Sequence, residues 1–393
     1  MSPTPNSGAL PPLTRLDAAA ESSPGDRVPP LARPEVEGLQ AYSAPLEGRR
    51  GLLRLDFNEN TVGPSPKVVE AIRAIPADHY AIYPEYDGLR EAVATNLADR
   101  SGGRAGLAHP LSPEHVGLFN GVDAALHAVF HAYGASGDRL LTTSPTFGYY
   151  TPCAQMQGMA IEAIPYEGAD FTFPLDELRA ALLGQPPRLL LLCNPNNPTG
   201  TRLAPELILE LAAAAPQTLV VVDELYEAFT GDSLMPLVDF GRHPNVLVLR
   251  SLAKTAGLAG LRMGFAIGDP GVVDRVSRVS GPYDINSFAV TAALAALADQ
   301  PYVDAYVEQV GQARDWLVGQ FRAAGVRHHA AGGNYLLLWP KRGPALVEAR
   351  LREAGILVRS MEGKPLISGS LRVSIGTLEQ MQRFWAAYAA IEL

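Results

Sequence analysis

The chain has 393 residues, 47% of them hydrophobic, which is enough for a large core and for two or three domains. Its formal charge, 32 − 41 = −9, argues against nucleic acid or an anionic membrane as the main partner. Two cysteines without a CxxC or a histidine cluster give no zinc pattern and predict free thiols in a reducing, cytoplasmic setting. No apolar run of about 18 residues predicts a membrane span, and the N-terminus lacks a basic-then-apolar leader.

Residues 1–35 are rich in Pro, Ser, Gly and Ala without apolar periodicity, and predict a disordered tail. A globular pattern follows, with a short strand at Leu53–Phe57 in a segment, 36–78, expected to pack with the C-terminal part. Between 79 and 286 strands alternate with helices. The strands are predicted at Val116–Asn120, Arg139–Thr143, Ala160–Tyr166, Arg188–Asn194, Thr218–Glu224, Val246–Ser251 and Arg262–Gly268. Helices are predicted at Ala124–Tyr133, Leu175–Leu183 and Pro205–Ala215. Unbroken apolar runs such as Leu189–Leu192 and Leu219–Val222 suit strands buried on both faces. The fold class is therefore α/β, with a mostly parallel seven-stranded sheet between helices. Lys254–Leu261 is too short for a crossover helix, so one of the seven strands runs antiparallel. Residues 287–393 predict a smaller α+β domain: helices Ser287–Leu297, Tyr302–Ala324 and Pro344–Ala354, and strands Asn334–Trp339 and Leu371–Ile375.

Ligands of open parallel sheets collect at the carboxyl ends of the strands. The distinctive polar residues of this chain lie there. Gly121-Val122-Asp123 opens a helix, whose free N–H groups suit a phosphate. Asn194–Gly200, with its Asn-Pro repeats, follows the next such strand. Asp223 and Tyr226 follow another, and Ser251 and Lys254 another. Lys254 is one of only four lysines. At the end of a buried strand its amine can lose a proton and condense with an aldehyde, and Arg262 can hold an anion nearby. Taken singly, each of these residues reads equally as a turn, a cap or a surface group; their common position is the signal.

Six ordered motifs carry a resemblance. They are Asp56-Phe57-Asn58-Glu59-Asn60 with the residues to Pro66, Tyr83-Pro84 with Leu89-Arg90, and Asn196-Asn197-Pro198-Thr199-Gly200. Asp223-Glu224 with Tyr226, Ser251-x-x-Lys254 with Arg262 and Gly264, and Leu371–Gly376 complete the set. From about Val36 onward the sequence resembles the fold-type I (aspartate-aminotransferase-like) aminotransferases that use pyridoxal 5'-phosphate (PLP), in the histidinol-phosphate branch. The resemblance implies that Lys254 carries the cofactor, Asp223 binds its pyridine nitrogen, and Asn197 and Tyr226 bind its phenolic oxygen. Phe147 would stack on the ring. Arg262, Ser251 and the amides of Gly121, Val122 and Asp123 would hold the phosphate. Arg372 would bind the substrate carboxylate, and Asn58 and Asn60 would line the pocket. Arg359 would lie at its entrance or serve an ordinary structural role. Tyr83 would reach the partner subunit's cofactor, implying a homodimer with shared sites. Ala253 departs from the branch, which often has Ser or Thr there, and removes a phosphate hydrogen bond worth roughly 0.5–1.5 kcal/mol. The implied reaction exchanges an amino group between L-histidinol phosphate and 2-oxoglutarate. The alternative is an aromatic amino acid, with PLP-dependent decarboxylation and a non-enzymatic PLP-binding regulator as further classes.

Overall fold

The computed structural model describes residues 29–40, 47–101 and 104–393. Most of the expected tail lies outside these residues. At its end, Pro34 opens a short helix, Pro34–Glu37, and the Arg33 guanidinium donates to the Met156 carbonyl.

Among the described residues the thirteen strands are β1 (Leu53–Arg54), β2 (Val116–Asn120), β3 (Arg139–Ser144), β4 (Ala160–Pro165), β5 (Leu189–Cys193), β6 (Leu219–Asp223), β7 (Val246–Ser251), β8 (Met263–Gly268), β9 (His328–His329), β10 (Tyr335–Leu338), β11 (Ile356–Leu357), β12 (Arg359–Ser360) and β13 (Leu371–Ser374). Seven of them form one sheet in the order β2-β8-β7-β6-β5-β3-β4. All neighbours run parallel except β8, which is antiparallel to both β2 and β7, as the short Lys254–Leu261 connection requires. The apolar runs are buried on both faces. Leu190, Leu192, Val220, Val222, Val246 and Val248 enter one core, while Leu189, Leu191, Val221, Leu247 and Leu249 enter the other. Each such side chain contributes about 1.5–3 kcal/mol of burial, so the period-2 alternation fixes strand register.

Helices Val122–Tyr133 and Pro270–Ser277 help cover one face; Pro205–Ala214 and Ser287–Leu297 help cover the other. Their starts follow local chemistry. Ser65 precedes Pro66 and accepts from the Lys67 N–H at 3.1 Å, and Asn286 accepts from the Ala289 N–H at 2.9 Å.

A second core gathers Leu53 and Leu55 with Phe321, Leu336, Leu351, Ile356, Val373 and Phe384. Here an antiparallel sheet in the order β12-β13-β10-β9 packs with helices Gln300–Ala323, Pro344–Glu353 and Leu378–Glu392. β1 pairs in parallel with β11. It is shorter than the expected Leu53–Phe57, because its partner β11 offers only Ile356 and Leu357 for pairing. The two-residue strands β9, β11 and β12 had no counterpart in the sequence pattern. Such short pairings depend on a tertiary partner.

Candidate active site

β3 is flanked by β4 on one side and β5 on the other, so the connections leaving β3 and β5 diverge and open a crevice. Asn196 ties its two walls together. Its Nδ2 donates to the Pro145 carbonyl at 2.9 Å, and its Oδ1 accepts from the Thr146 hydroxyl at 2.7 Å.

Asp223 ends β6 and is 2% exposed. The Tyr150 hydroxyl donates to its Oδ2 at 2.6 Å and the Leu225 N–H donates to its Oδ1 at 3.2 Å. Burial pushes its pKa up to about 6, with the Tyr150 hydrogen bond pulling the other way.

Lys254 lies in the β7–β8 connection, where its Nζ donates to the Phe57 carbonyl at 2.9 Å. Burial, and then the charge of Arg372, lower its pKa to about 8. Roughly a tenth is therefore free base at pH 7, far more than in an ordinary lysine. The Ser251 hydroxyl donates to the Met263 carbonyl at 3.0 Å and accepts from the Ala253 N–H at 3.0 Å, so it shapes the Lys254 loop. Asn60 Nδ2 donates to the Thr255 carbonyl at 2.8 Å, binding the same loop from outside.

The anion cradle forms where β8 passes the start of helix Val122–Tyr133. A Cβ on Gly264 would lie 2.5 Å from the Gly121 carbonyl carbon and 2.6 Å from the Val122 nitrogen, so only glycine allows this approach. Gly121 itself has φ 81° and is the residue before the helix, whose first N–H groups lack intrahelical acceptors. Arg262 Nη2 donates to Asp123 Oδ2 at 2.7 Å, which brings the guanidinium to this helix end.

At the same strand ends, the Tyr226 hydroxyl accepts from Asn58 Nδ2 at 3.1 Å and from Asn197 Nδ2 at 3.3 Å. Arg372 of β13 donates through Nη1 to Asn197 Oδ1 at 2.8 Å and through Nη2 to the Asp56 carbonyl at 2.6 Å. Arg359 is its direct partner across β12–β13, and its guanidinium lies 5.6 Å from the centre of the Phe57 ring.

Lys254, Asn58, Asn197, Tyr226 and Arg372 are thus linked through side chains and the Asp56–Asn58 backbone. Gly121, Val122, Asp123 and Arg262 form the adjoining anion cradle. Phe147 is half-buried, with its ring edge-on to Tyr150 at 5.4 Å. Tyr83 is elsewhere: it is 72% exposed and stacks on Tyr283 at 4.3 Å.

Residues 50–387 match the family described as aminotransferase class I and II. The chain belongs to that family. Among curated relatives, it is 34% identical to histidinol-phosphate aminotransferase 1 of Pseudomonas fluorescens, over 84% of this chain and 90% of the relative. It is 35% identical to histidinol-phosphate aminotransferase of Syntrophotalea carbinolica, over 86% of this chain and 92% of the relative. Among solved structures, histidinol-phosphate aminotransferase from Sinorhizobium meliloti in complex with pyridoxal-5'-phosphate superposes with a TM-score of 0.79. The two share 26% identity, over 92% of this chain and 98% of that one.

Sequence reasoning had missed Tyr150 beneath Asp223 and Arg49 behind Asp56, and it quoted Asn196, between the crevice walls, only as part of a motif without a role. Tyr150 carried a weak signal, three residues after Phe147 in a helical stretch. Arg49 carried none, because its contacts depend on a chain reversal.

Proposed function

We propose that this aminotransferase uses PLP to exchange an amino group between L-histidinol phosphate and 2-oxoglutarate. The observation that carries the substrate is the 34–35% identity, over 84–86% of the chain, to relatives of that name. The donor set fits the cofactor: a buried carboxylate for a ring nitrogen, two amide-backed donors for a phenolic oxygen, and a glycine-lined helix end with an arginine for a phosphate.

When bound, PLP supplies an aldehyde for condensation with an amine and an electron-withdrawing ring. Lys254 provides that amine and, once displaced, moves the proton from the substrate α-carbon through Nζ. Its lowered pKa makes the free base available for this. Asp223, held by Tyr150, stays ionised beside a cationic ring nitrogen. Asn197 and Tyr226 would orient the phenolic oxygen, Phe147 would pack on the ring, and Arg262 and the 121–123 amides would hold the phosphate, while Ser251, whose hydroxyl is committed to Met263 O, shapes the Lys254 loop.

Arg372 grips the substrate carboxylate. Two like charges directly opposite in an antiparallel pair are unfavourable by themselves. Their juxtaposition at Arg359 and Arg372 therefore favours substrates with strongly anionic groups, such as a phosphate or a second carboxylate. Asn58 and Asn60 shape the pocket floor.

The active unit in this reading is a homodimer, and the location is the cytoplasm. Exposed Tyr80, Ile82, Tyr83 and Tyr283 support an aromatic patch that meets a second copy, with Tyr83 reaching the partner's cofactor phosphate. In the same reading, residues 36–78 belong with the small domain of 287–393 and residues 79–286 form the large one, although helix Ser287–Leu297 packs on the large sheet. Leu53 and Leu55 in the second core support this division.

Steady-state rates on histidinol phosphate and phenylalanine test the assignment. Turnover of histidinol phosphate with formation of glutamate is expected. Preference for phenylalanine would move the enzyme to aromatic amino acids, and carbon dioxide release would make it a decarboxylase.

A further inference from the structure

We propose that Arg49 is a positioning residue of the active site: its two forks, on Asp56 and on Glu59, fix the backbone that holds Arg372 and receives the Lys254 amine. Arg49 is only 8% exposed. Its Nε and Nη2 donate to the two oxygens of Asp56 at 3.0 and 2.7 Å, and its Nη1 and Nη2 donate to those of Glu59 at 3.1 and 2.8 Å. Its guanidinium carbon also lies 4.4 Å from the centre of the Phe57 ring. One side chain therefore grips three residues of the Asp56–Glu59 run.

The carbonyls of this run face the site. Asp56 O accepts from Arg372 Nη2 at 2.6 Å, Phe57 O from Lys254 Nζ at 2.9 Å, and Asn58 O from Asn334 Nδ2 at 3.1 Å. The run is not a conformation the chain adopts cheaply. Asn58 has φ 55°, in the left-handed region that non-glycine residues adopt only at a cost. Ser374 stitches its far side, donating to Asn58 Oδ1 at 3.0 Å and accepting from the Asn58 N–H at 2.8 Å. Arg49 holds the near side. Lysine would keep the charge there but could not form two planar forks at once. The consequence is specific: Arg372 takes its orientation from Asp56 O, so loosening Arg49 should impair carboxylate recognition more than chemistry.

This inference rests on Arg372 being the carboxylate fork. The test is calorimetric titration of the holoenzyme with succinate, a dicarboxylate without an amino group, alongside KM and kcat for glutamate. Arg49→Lys is expected to weaken succinate binding by about tenfold or more and to raise KM in step, with kcat changed by less than about threefold. Arg54→Gln removes the other cation on Glu59 (Nε to Oε2, 3.2 Å) without touching Asp56, and should leave succinate binding within about twofold of wild type. Unchanged binding in Arg49→Lys, or an equal loss in Arg54→Gln, overturns the role. Arg372→Ala separates the two claims: if it binds succinate normally, the carboxylate assignment itself fails. Should Arg49→Lys not fold, Asp56→Asn breaks the same fork at constant volume and carries the same expectation.

Discussion

Two walls meet at this active site, and they carry charge differently. At the strand ends of the large sheet the decisive groups titrate. Lys254 is lowered to about 8 and Asp223 raised to about 6, both chiefly because burial penalises the charged form. On the small antiparallel sheet the groups are Arg359 and Arg372, and a guanidinium keeps its charge at any ordinary pH. The first wall is suited to moving protons and the second to recognising permanent anions. Chemistry and recognition are thereby separable by mutation.

The sharpest break is Lys254→Ala. It should lower turnover by about 1,000-fold or more and remove the yellow colour of the holoenzyme, because the covalent anchor and the proton carrier are the same atom. Near-normal turnover would transfer both roles elsewhere. In wild type, uptake of PLP by cofactor-free protein should accelerate as pH rises through about 8, where Nζ loses its proton. Stopped-flow absorbance reads this directly; a rate that levels off above about 8 is expected, and one that keeps climbing toward pH 10 would place the amine in an unperturbed environment.

Asp223→Asn comes next and has two faces. Turnover should fall by about 100-fold, measured at saturating substrate, since the ring nitrogen loses its counter-charge. Cofactor-free protein should nevertheless become more stable near pH 7, by up to about 3 kcal/mol. The native pKa lies above the unfolded one, so the native state binds more protons between about 3.8 and 6. The group's favourable contribution is present below that window and lost as pH rises through about 6. Denaturant unfolding at pH 4 and pH 7 should therefore show the gain of the variant growing with pH; a constant difference would point to packing.

Arg372→Ala tests the other wall. KM for the amino donor should rise roughly 10–100-fold while PLP affinity holds, because in the proposed function the fork bonds the substrate carboxylate through charge-assisted hydrogen bonds. Equal damage to PLP binding would erase the distinction between the walls. The smallest effect is expected from Tyr150→Phe. Loss of the 2.6 Å hydrogen bond should weaken PLP binding by roughly tenfold and raise the pKa of Asp223, shifting the acid limb of the kcat profile upward. An unmoved limb would leave Tyr150 with packing alone.

Much of the large sheet was legible in the chain order of residues, for a physical reason. Leu189–Leu192 and Leu219–Val222 can be buried on both faces only in a covered parallel sheet, and that sheet puts Asn197, Asp223 and Lys254 at the same edge. The short β7–β8 link likewise requires one antiparallel strand. The side-chain connections were not legible in this way. Ser251, which resembled a phosphate ligand by position, spends its hydroxyl on Met263 O and Ala253 N, a choice made by local loop geometry.

The sequence by itself therefore determined the architecture and the candidate chemistry at the strand ends, because periodicity and turn residues act over a few positions. Tertiary structure alone decided which distant groups share a hydrogen bond. Arg49 grips Asp56, Tyr150 lies under Asp223, and Arg372 reaches Asn197 across 175 positions of chain. The last pairing depends on packing the two cores against each other, and no short-range pattern records any of the three.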